Sequence, residues 1–586
     1  MSDSDDSNSG RKLSSKIAQN AAASMIIERD VPIGMPDGIV LRADIFRPRT
    51  SVKVPVIMNL GPYCKGVPFQ EGYAEAWKKL IADHPEILEG STGSFLTWET
   101  VDPERWVPNN YAVVRVDSRG AGRSQGRMDL FSETEARDYY NCIEWAAAQP
   151  WSNGRVGLLG ISYYAINQWN VASLQPPHLT AMIPWEGASD HYREATHHGG
   201  IFSNRFFDSW YPARVLMRQH GKGKNGEWDP WLNEPATGPE TLTEDELRSN
   251  REDYLMNNRN HNLDDGYHRS RSPNFAKITV PLLSASNWGG LGLHSRGNFE
   301  GYLEAASKQK WLEVHGGGHE EWFYLPYGLE IQKRFFEHFL KGIENGWNKE
   351  PKVLLNIRHI DRFELRKETE WPIPRTKWTN IYLNPIDKSL SWVAPTVAES
   401  KVAVDSDSAG ITFTSPPLEH ATELTGPLAA KLEISSSTTD ADLFLTLRAF
   451  DIDGKDVVFK GASDPKIPLS QGWLRASHRK LDQSKSKSYR PYHTHDQIQK
   501  LAPNNIYGLD IEIWPTCVVL PAGYRIGLTV QGRDFTWTGR EDVFQGSGSF
   551  LHNDKQDRPD TEYKGVTTIY SRAQNPSYVL LPIIPN

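Results

Sequence analysis

The sequence is poor in the features that mark secreted, membrane-spanning and nucleic-acid-binding proteins. Its 586 residues include only three cysteines (Cys64, Cys142 and Cys517) and no run of about 18 apolar residues. Few cysteines fit a reducing compartment, and without a long apolar run we expect no membrane span. The net charge is −8, so the chain lacks the basic surface that would make nucleic acid its main partner.

The beginning of the chain also lacks a targeting pattern. Residues 1–24 are rich in Ser, Asp, Asn and Gly and contain no apolar stretch of the kind found in secretory signals. This composition predicts a disordered tail, and together with the few cysteines it predicts a cytoplasmic protein. Because no CxxC pair or His/Cys cluster is found, we expect no metal and no cofactor.

Hydrophobic periodicity divides the rest of the chain into three predicted domains. Strand-like and helical segments alternate over 25–186 and 276–350, which predicts an α/β domain built on a mainly parallel sheet. Polar residues and short helical stretches fill 187–275, as expected for a helical cap inserted over an active site. From 351 to 586, short alternating strands separated by turn residues predict an all-β jelly roll or sandwich.

The strongest local motif is Gly160-Ile161-Ser162-Tyr163-Tyr164, which follows the apolar strand RVGLLG and precedes a predicted helix. In α/β-hydrolases the nucleophilic serine stands on such a strand-to-helix turn, where a small residue two positions earlier relieves crowding. Gly160 supplies that small residue, but Tyr164 stands where the second glycine of G-x-S-x-G is expected. A purely structural turn is therefore an alternative.

A histidine after the last parallel strand is the expected general base. His319 follows three glycines in EVHGGGHEEW, and this flexible loop would let its imidazole reach Ser162. His315, which is still on the strand end, is the alternative. The base would take the serine proton as the hydroxyl attacks a carbonyl carbon, and the backbone N–H of Tyr163 would stabilise the oxyanion. These residues predict a serine hydrolase with an acyl-enzyme intermediate.

Several segments together resemble the cocaine-esterase and X-prolyl dipeptidyl-peptidase family, also called the CocE/NonD hydrolases. They are MPDGIVLRADIFRP, GPYCKG, VVRVDSRGAGRSQG, the serine segment and, further on, TGPLAAKLEISSSTTDADLFLTLRAFDIDGK and GWLRASHRKLD. The resemblance covers about residues 26–585 and implies a hydrolase core, an inserted helical cap and a C-terminal jelly roll. It also implies that the hydroxyl of Tyr63 joins the N–H after the serine in the oxyanion hole.

The sequence departs from this family where the third triad residue is expected. Family members usually place an aspartate after the strand that matches ITVPLLSAS, but the matching position here is Gly290. Glu186, at the end of the strand LTAMIPWE, is the predicted replacement because it could reach the same imidazole. Asn287, which could orient the ring without a charge, and Asp190 are alternatives, as is a dyad without an acid.

The expected reaction is cleavage of a carboxylic ester or amide of a small molecule. Cleavage after X-Pro is an alternative, in which Glu186 and Asp190 could anchor the substrate amino group. Because the usual aspartate is missing, an acyltransferase, lyase or cyclase also stays open, as does a catalytically inactive binding protein. The β domain could close the pocket, form a homodimer interface, or do both.

Overall fold

Two large β-sheets carry most of the regular structure in the computed structural model, which describes residues 24–537 and 550–585. One sheet has ten strands and the other has eleven. The predicted tail falls almost entirely on residues 1–23, which lie outside the described residues. Within the two described ranges, no helix combines the length and the apolar character needed to cross a membrane.

Fourteen strands precede the β domain, ten of them in the first sheet. In chain order they are β1 (Met25–Gly34), β2 (Val40–Pro48), β3 (Val54–Gly61), β4 (Ala112–Asp117), β5 (Ser152–Ile161), β6 (Leu179–Trp185), β7 (His197–His198), β8 (Ile201–Phe202), β9 (Trp228–Asp229), β10 (Glu234–Pro235), β11 (Leu282–Asn287), β12 (Lys310–His315), β13 (Val353–Arg358) and β14 (Phe363–Glu368).

The first sheet has the order β1-β2-β4-β3-β5-β6-β11-β12-β13-β14. All pairings from β4 to β13 are parallel, and antiparallel strands stand at both edges. Strands such as β3 and β4 are buried along their whole length, because helices cover both faces of the sheet. The carboxyl ends of the parallel strands therefore meet at one edge, where loops can gather functional side chains.

Helices of the α/β domain begin and end at ordinary signals. The helix Glu133–Ala147 starts at Ser132, whose hydroxyl accepts from the amide of Glu135 (3.2 Å), and Pro326–Lys341 ends at Gly342 with a φ of +70°. The other α-helices in the described part of this domain are Phe69–Gly72, Ala74–Asp83, Pro103–Trp106, Tyr163–Ala172, Arg296–Glu304 and Glu321–Tyr324.

The inserted cap consists of short pieces, as the sequence predicts. Its α-helices are at most seven residues long, and two hairpins, β7/β8 and β9/β10, lie among them. Its helical segments include the π-helical turns His191–Thr196 and Tyr211–Val215 and the α-helices Arg205–Trp210, Glu244–Ser249, Tyr254–Asn260 and Gly266–Arg269.

The first sheet extends further along the chain than the sequence suggests. The segment KVLLNIRHI, placed by its pattern in the domain that starts at 351, forms β13, which pairs in parallel with β12. β14 then pairs with β13 and ends the sheet. A short, fully buried strand has the same alternating apolar pattern in either sheet, so periodicity alone does not assign it.

The β domain contains the remaining strands and the short helix Asp560–Tyr563. The strands are β15 (Lys377–Asn384), β16 (Ser389–Ser391), β17 (Ser400–Asp405), β18 (Ile411–Thr414), β19 (Thr422–Ser436), β20 (Asp442–Phe450), β21 (Ser470–Arg475), β22 (Tyr507–Leu520), β23 (Arg525–Gln531), β24 (Val566–Ser571) and β25 (Tyr578–Ile584).

The second sheet folds back on itself. Its order is β17-β24-β19-β22-β21-β20-β23-β18-β16-β15-β25, and β25 also pairs with β19. This closure encloses an apolar core that includes Leu432, Leu445 and Ile511 and protects strand edges. The predicted fold class, an α/β-hydrolase core with an inserted cap and a jelly-roll domain, is confirmed.

A glycine pair joins the cap to the β domain. Gly199 and Gly200 form the turn of the β7/β8 hairpin with φ values of +56° and +90°, as a two-residue hairpin turn with a left-handed backbone requires. The carbonyl of Gly199 accepts from the amide of Arg475 (2.9 Å). A Cβ at Gly199 would lie 2.0 Å from the carbonyl oxygen of Trp473, so a side chain is excluded.

Replacing Gly199 with alanine should therefore separate the cap from the β domain locally. We expect Gly199→Ala to destabilise the protein by about 3 kcal/mol, because it combines backbone strain with a clash against backbone atoms. Gly266→Ala is the control, since no atom lies within 4 Å of its added Cβ. Differential scanning calorimetry checks the pair, and equal melting temperatures would contradict the prediction.

Candidate active site

A cleft of about 820 Å³ lies where the α/β domain, the cap and the β domain meet. The loop 460–465 of the β domain forms part of its wall, and Ser162 lines it from the α/β domain. Ser162 also lines a second, mostly apolar cavity of about 30 Å³. The aromatic residues of the large cleft are Tyr63, Tyr73, Trp98, Phe206 and Trp210.

Ser162 stands on a strained bend between β5 and the helix that follows. Its φ is +56°, in the left-handed region that non-glycine residues rarely adopt. Its amide donates to the carbonyl of Trp185 at the end of the neighbouring strand β6 (3.1 Å), which fixes the bend against the sheet. This is the backbone arrangement of a serine nucleophile in an α/β-hydrolase.

The tyrosine at position 164 is accommodated by two glycines. A Cβ on Gly61 would lie 2.5 Å from Cε1 of Tyr164, and a Cβ on Gly160 would lie 2.4 Å from Cβ of Tyr164. Larger residues at either position would collide with the tyrosine. The departure from G-x-S-x-G is therefore compensated by Gly160, two positions before the serine, and by Gly61 at the end of β3.

Two groups beside the serine can donate to an oxyanion. The amide of Tyr163 is the first of its helix, where amides have no acceptor within the helix. The hydroxyl of Tyr63 accepts from Nε1 of Trp210 (3.0 Å), which leaves its proton for another partner. Burial raises the pKa of Tyr63 well above its usual value, so the hydroxyl stays protonated. Their role as the oxyanion hole stays a prediction.

Two stacked imidazoles occupy the site next to Ser162. Nε2 of His294 lies 3.4 Å from Oγ of Ser162, and the ring of His319 stacks on it with a centroid distance of 4.6 Å. Nε2 of His319 instead lies 3.1 Å from Oε1 of Glu99. Among the described residues no hydrogen bond joins Ser162 to His319. His294 is therefore the imidazole in contact with the nucleophile, and the base role of His319 stays a prediction.

His294 is the neutral ring of the pair. Burial, reinforced by the charge of His319, holds the pKa of His294 well below its usual value. Its Nδ1 is buried without a hydrogen-bond partner among the described residues. A neutral imidazole with Nε2 at the serine could accept a proton, so this histidine has to be considered as a second base.

Glu186 places a carboxylate where the sequence lacks the usual aspartate. Its Oε2 lies 2.7 Å from Nδ1 of His319, the distance expected for a triad acid. Its φ is +50°, a second strained backbone at the same sheet edge. Asn287 donates from Nδ2 to Oε1 of Glu186 (3.1 Å) and thereby helps to hold it. This geometry supports Glu186 rather than Asn287 as the orienting acid, an assignment that stays a prediction.

Glu186 is the centre of a buried chain of alternating carboxylates and imidazoles, in the order Glu313, His315, Glu186, His319, Glu99. Nε2 of His315 lies 2.7 Å from Oε1 of Glu186, and its Nδ1 lies 2.8 Å from Oε2 of Glu313. None of the five residues is more than 7% exposed. Each imidazole has a carboxylate at both ring nitrogens, which is the pattern of a doubly protonated ring.

Opposite charges in this chain outweigh the cost of burial. Burial raises the pKa of Glu186, but the charges and hydrogen bonds of His319 and His315 lower it to about 2. Burial lowers the pKa of His315, but Glu313 and Glu186 raise it to about 9. The pKa of His319 is likewise raised well above its usual value, against burial, by Glu186 and Glu99.

Asp190 and His315, the other candidates from the sequence, form no hydrogen bond with Ser162 among the described residues. Asp190 caps the turn at His191–Thr196 and pairs with Arg193 at 2.9 Å. His315 is fully buried, does not line the cleft and has both ring nitrogens on carboxylates, so it supports Glu186 from behind. Within the described ranges, no group of three or more His, Cys, Asp or Glu side chains is arranged to hold a metal ion.

Sequence reasoning missed two residues of this site. His294 lies in the loop after β11, four positions beyond Gly290. The family pattern predicts a carboxylate in this segment and gives no reason to expect a functional histidine there. Glu99 belongs to no motif, and its φ of +61° is invisible in the sequence. Both reach the site through loops, and loop paths do not follow from hydrophobic periodicity.

Comparisons with known proteins cover almost the whole chain. The family model of the X-Pro dipeptidyl-peptidase (S15 family) matches residues 37–321, and that of the X-Pro dipeptidyl-peptidase C-terminal non-catalytic domain matches residues 345–580. A solved CocE/NonD family hydrolase from Staphylococcus aureus is 34% identical, with a TM-score of 0.83, over 96% of this chain and 94% of that chain.

Two further relatives are more distant. Cocaine esterase from Rhodococcus sp. is 24% identical over 623 aligned positions, which cover 95% of this chain and 98% of the esterase. An α-amino acid ester hydrolase of known structure shares the fold, with a TM-score of 0.66 at 15% identity over 96% of this chain and 97% of that chain. The resemblance found in the sequence is confirmed.

Replacing His315 with glutamine should reduce stability in a pH-dependent way. A raised pKa in the folded state means that the ring stabilises the fold fully below its unfolded pKa of 6.5, and that this contribution is lost as the pH rises through about 9. We expect His315→Gln to lower the free energy of unfolding by on the order of 3 kcal/mol near pH 6. The difference in this free energy between the variant and the wild type should narrow towards alkaline pH. Calorimetric unfolding at a series of pH values measures this gap.

The exposed His420 provides the control for that experiment. His420→Gln should unfold like the wild type at every pH. A gap for His315→Gln that stays constant from acid to alkaline pH would show that the variant loses packing rather than an ion pair.

Proposed function

Because the chain belongs to the CocE/NonD family of serine hydrolases, we propose that it cleaves a carboxylic ester or amide of a small molecule through an acyl-Ser162 intermediate. The observation that carries this proposal is the position of Ser162 on a strained bend, lining the cleft, with an imidazole at 3.4 Å. A serine without this backbone and a neighbouring base is not nucleophilic.

The first half-reaction follows from the groups around the serine. Oγ of Ser162 attacks the carbonyl carbon, its proton passes to an imidazole, and the carbonyl electrons move to the oxygen. The amide of Tyr163 and the hydroxyl of Tyr63 donate to that oxyanion, where preorganised donors are worth most. The tetrahedral carbon then expels the leaving group, which takes the proton from the imidazole, and water repeats the sequence to release the acid.

We assign the base role to His319 and the orienting role to Glu186. The hydrogen bond of 2.7 Å between them holds one ring tautomer and stabilises the imidazolium. Before His319 can serve Ser162, its Nε2 has to leave Glu99 and the ring of His294 has to give up its place at Oγ of the serine. His294, already at the serine, is the alternative base.

The presence of Glu186 removes the main reason to consider a non-hydrolytic reaction. That alternative rested on the absence of a carboxylate at Gly290. In the structure the buried carboxylate of Glu186, with its pKa lowered to about 2, lies 2.7 Å from Nδ1 of His319. In serine–histidine catalysis an ionised partner of this kind orients the imidazole and stabilises the imidazolium that forms. Hydrolysis is therefore the proposed reaction.

The small cavity beside Ser162 suits a short apolar acyl group. Its walls include Phe131, Phe207 and Leu293, and its volume of about 30 Å³ leaves room for little more than a few heavy atoms without movement of side chains. The leaving group would then occupy the larger cleft. This division favours small acyl esters over large aromatic acyl groups.

One observation favours X-Pro peptides as a second candidate substrate class. Glu99 and Glu320 line the large cleft, and a carboxylate pair could bind the free amino group of a peptide. The family model that matches the α/β domain is also that of an X-Pro dipeptidyl-peptidase.

A cytoplasmic location is part of the same proposal. Cys64, Cys142 and Cys517 are all buried and none of them forms a disulfide. Unpaired cysteines in a chain of this length fit a reducing compartment.

Exchanging the two histidines separately should identify the base. We expect His319→Gln to lower the rate of acylation about 10³-fold, because it removes both the base and its ion pair with Glu186, and His294→Gln to lower it about tenfold. Stopped-flow release of p-nitrophenol from p-nitrophenyl acetate measures acylation, with Ser162→Ala as the inactive reference. A larger loss for His294→Gln would reverse the assignment.

The substrate classes can be separated with one peptide pair. We expect hydrolysis of p-nitrophenyl acetate and p-nitrophenyl butyrate, and no comparable turnover of Ala-Pro-p-nitroanilide relative to its uncatalysed rate. N-acetyl-Ala-Pro-p-nitroanilide is the matched control for the free amino group. Turnover of the free peptide but not of the acetylated one would establish the peptidase instead.

A further inference from the structure

The small cavity beside Ser162 runs along one face of the helix that follows the serine. Its lining includes Tyr163, Ile166 and Asn170, whose spacing of three and four residues places them on one side of that helix. The serine end is shared with the large cleft, since Ser162 and Trp210 line both spaces. Ser162 therefore stands at the mouth of the small cavity, and Asn170 stands at its far end.

Asn170 carries an acceptor without a partner at this far end. Its Nδ2 donates to the carbonyl of Arg271 (3.3 Å), which fixes the orientation of the amide, because only the nitrogen can donate to a carbonyl. Its Oδ1 is buried and accepts no hydrogen bond from the described residues. The whole residue is 8% exposed.

Arg271 brings an unpartnered donor to the same end of the cavity. Its Nη2 lies 2.6 Å from Oδ1 of Asp129, and its guanidinium lies 3.8 Å from the ring centroid of Tyr267. Its Nε–H is buried, and no described residue accepts from it. Buried polar atoms in native proteins are nearly always hydrogen-bonded. A free donor and a free acceptor in neighbouring residues, both lining one cavity, therefore indicate a ligand group that serves both.

The histidine and the carboxylate at this end already have partners. The ring nitrogens of His191 lie 2.9 Å from Nδ1 of His268 and 3.0 Å from the hydroxyl of Tyr254. The carboxylate of Asp190 pairs with Arg193 (2.9 Å) and accepts from its amide. Because the charges of Asp190 and Arg271 are compensated within the chain, a carboxylate or an ammonium group would enter without a counter-ion. The group that fits is neutral.

We propose that Asn170 and Arg271 form a subsite for a hydroxyl group at the end of the substrate acyl chain. The hydroxyl donates to Oδ1 of Asn170 and accepts from Nε of Arg271. The proposal rests on the function given above, because it requires acylation of Ser162 with the acyl chain in the small cavity. It names the substrate class as esters of short ω-hydroxy acids.

The position of Asn170 on the helix sets the length of this acyl chain. Ser162 and Asn170 lie about 12 Å apart along the helix axis, and helical side chains point back towards the N-terminus. The asparagine side chain, its hydrogen bond and the bond to Oγ take up about half of this distance. About four or five bonds are left between the carbonyl carbon and the hydroxyl oxygen. Phe131, Phe207 and Leu293 line the cavity around the methylene groups of such a chain.

The test compares esters of equal length that end in a hydroxyl or in a methyl group. The pairs are ethyl 5-hydroxypentanoate with ethyl hexanoate, and ethyl 4-hydroxybutanoate with ethyl pentanoate. We expect the wild type to prefer the hydroxy ester of at least one pair about tenfold in kcat/KM, because a buried donor and acceptor stay unsatisfied beside the methyl group. Acid release in a pH-stat, corrected for the uncatalysed rate, measures this preference.

Two variants remove the subsite one group at a time. In Asn170→Leu the preference should disappear, because the hydroxy ester loses kcat/KM and the alkyl ester keeps it. Arg271→Lys keeps a positive charge opposite Asp129 but removes Nε, and it should lower the preference about threefold or more. Since the preference is a ratio measured in one protein, a loss of folded protein in either variant does not change it.

Asn167→Leu is the matched control on the same helix. Nδ2 of Asn167 also donates to a backbone carbonyl, that of Leu60 (2.7 Å), and its Oδ1 is also buried without a partner among the described residues. Within the described ranges, however, Asn167 lines neither the small cavity nor the cleft. This variant should keep the wild-type preference, and a loss equal to that of Asn170→Leu would overturn the subsite.

Charged analogues of the same length test the neutrality of the subsite. Monoethyl glutarate and ethyl 5-aminopentanoate should both be poorer substrates than ethyl 5-hydroxypentanoate. A preference for either charged ester would overturn the proposal. Equal kcat/KM for both members of both uncharged pairs, or a preference that survives Asn170→Leu, would also overturn it.

Labelling with a neutral fluorophosphonate separates failure of the subsite from failure of the proposed function. Mass spectrometry of the intact protein should show one adduct in the wild type and none in Ser162→Ala. No adduct and no ester hydrolysis in the wild type would reject Ser162 as the nucleophile and the subsite with it. An adduct together with equal hydrolysis of the hydroxy and alkyl esters would reject the subsite alone and leave the hydrolase intact.

Discussion

The ion pairs of Glu186 with two buried imidazoles are the constraint on which the site depends. Its carboxylate is fully buried, yet its pKa falls to about 2, because His315 and His319 supply positive charge on both sides. Removing either ring would leave a buried charge without its partner, which costs more than the pair itself contributes. Glu313 and Glu99 close the row at its two ends, each on one ring nitrogen of a neighbouring imidazole.

The sheet explains how Glu186, the proposed acid, can reach His319 from the position just after β6. Strands β6, β11 and β12 are neighbours, Ala285 of β11 is in register with Trp185 of β6, and Asn287 is in register with His315. Side chains at these three strand ends therefore meet, and a carboxylate one strand away from the family position still reaches the imidazole loop. Asn287, at the end of β11, donates to Glu186. The strand that usually precedes the acid thus holds a carboxylate that comes from the neighbouring strand.

The same reasoning shows how far the sequence alone could go. Strand ends of a parallel sheet converge, so Ser162, Glu186 and His319 could be predicted from their positions after β5, β6 and β12. His294 and Glu99 could not, because they reach the site through loops whose paths are set by tertiary contacts and by a positive φ. The assignment of β13 failed for a related reason: a buried strand has the same pattern in both sheets, and only its parallel pairing with β12 decides its domain.

The β domain contributes directly to the cleft that Ser162 lines. The amide of His319 donates to the carbonyl of Ala462 (3.1 Å), and the amide of Ala462 donates to the carbonyl of Gly289 (3.1 Å). One loop of the β domain thus ties together the two loops that follow β11 and β12. Because the glycine-rich loop before His319 has little rigidity of its own, the position of the imidazole depends on a domain whose core lies elsewhere. The stability of the jelly roll is therefore a condition for the position of His319, the proposed base.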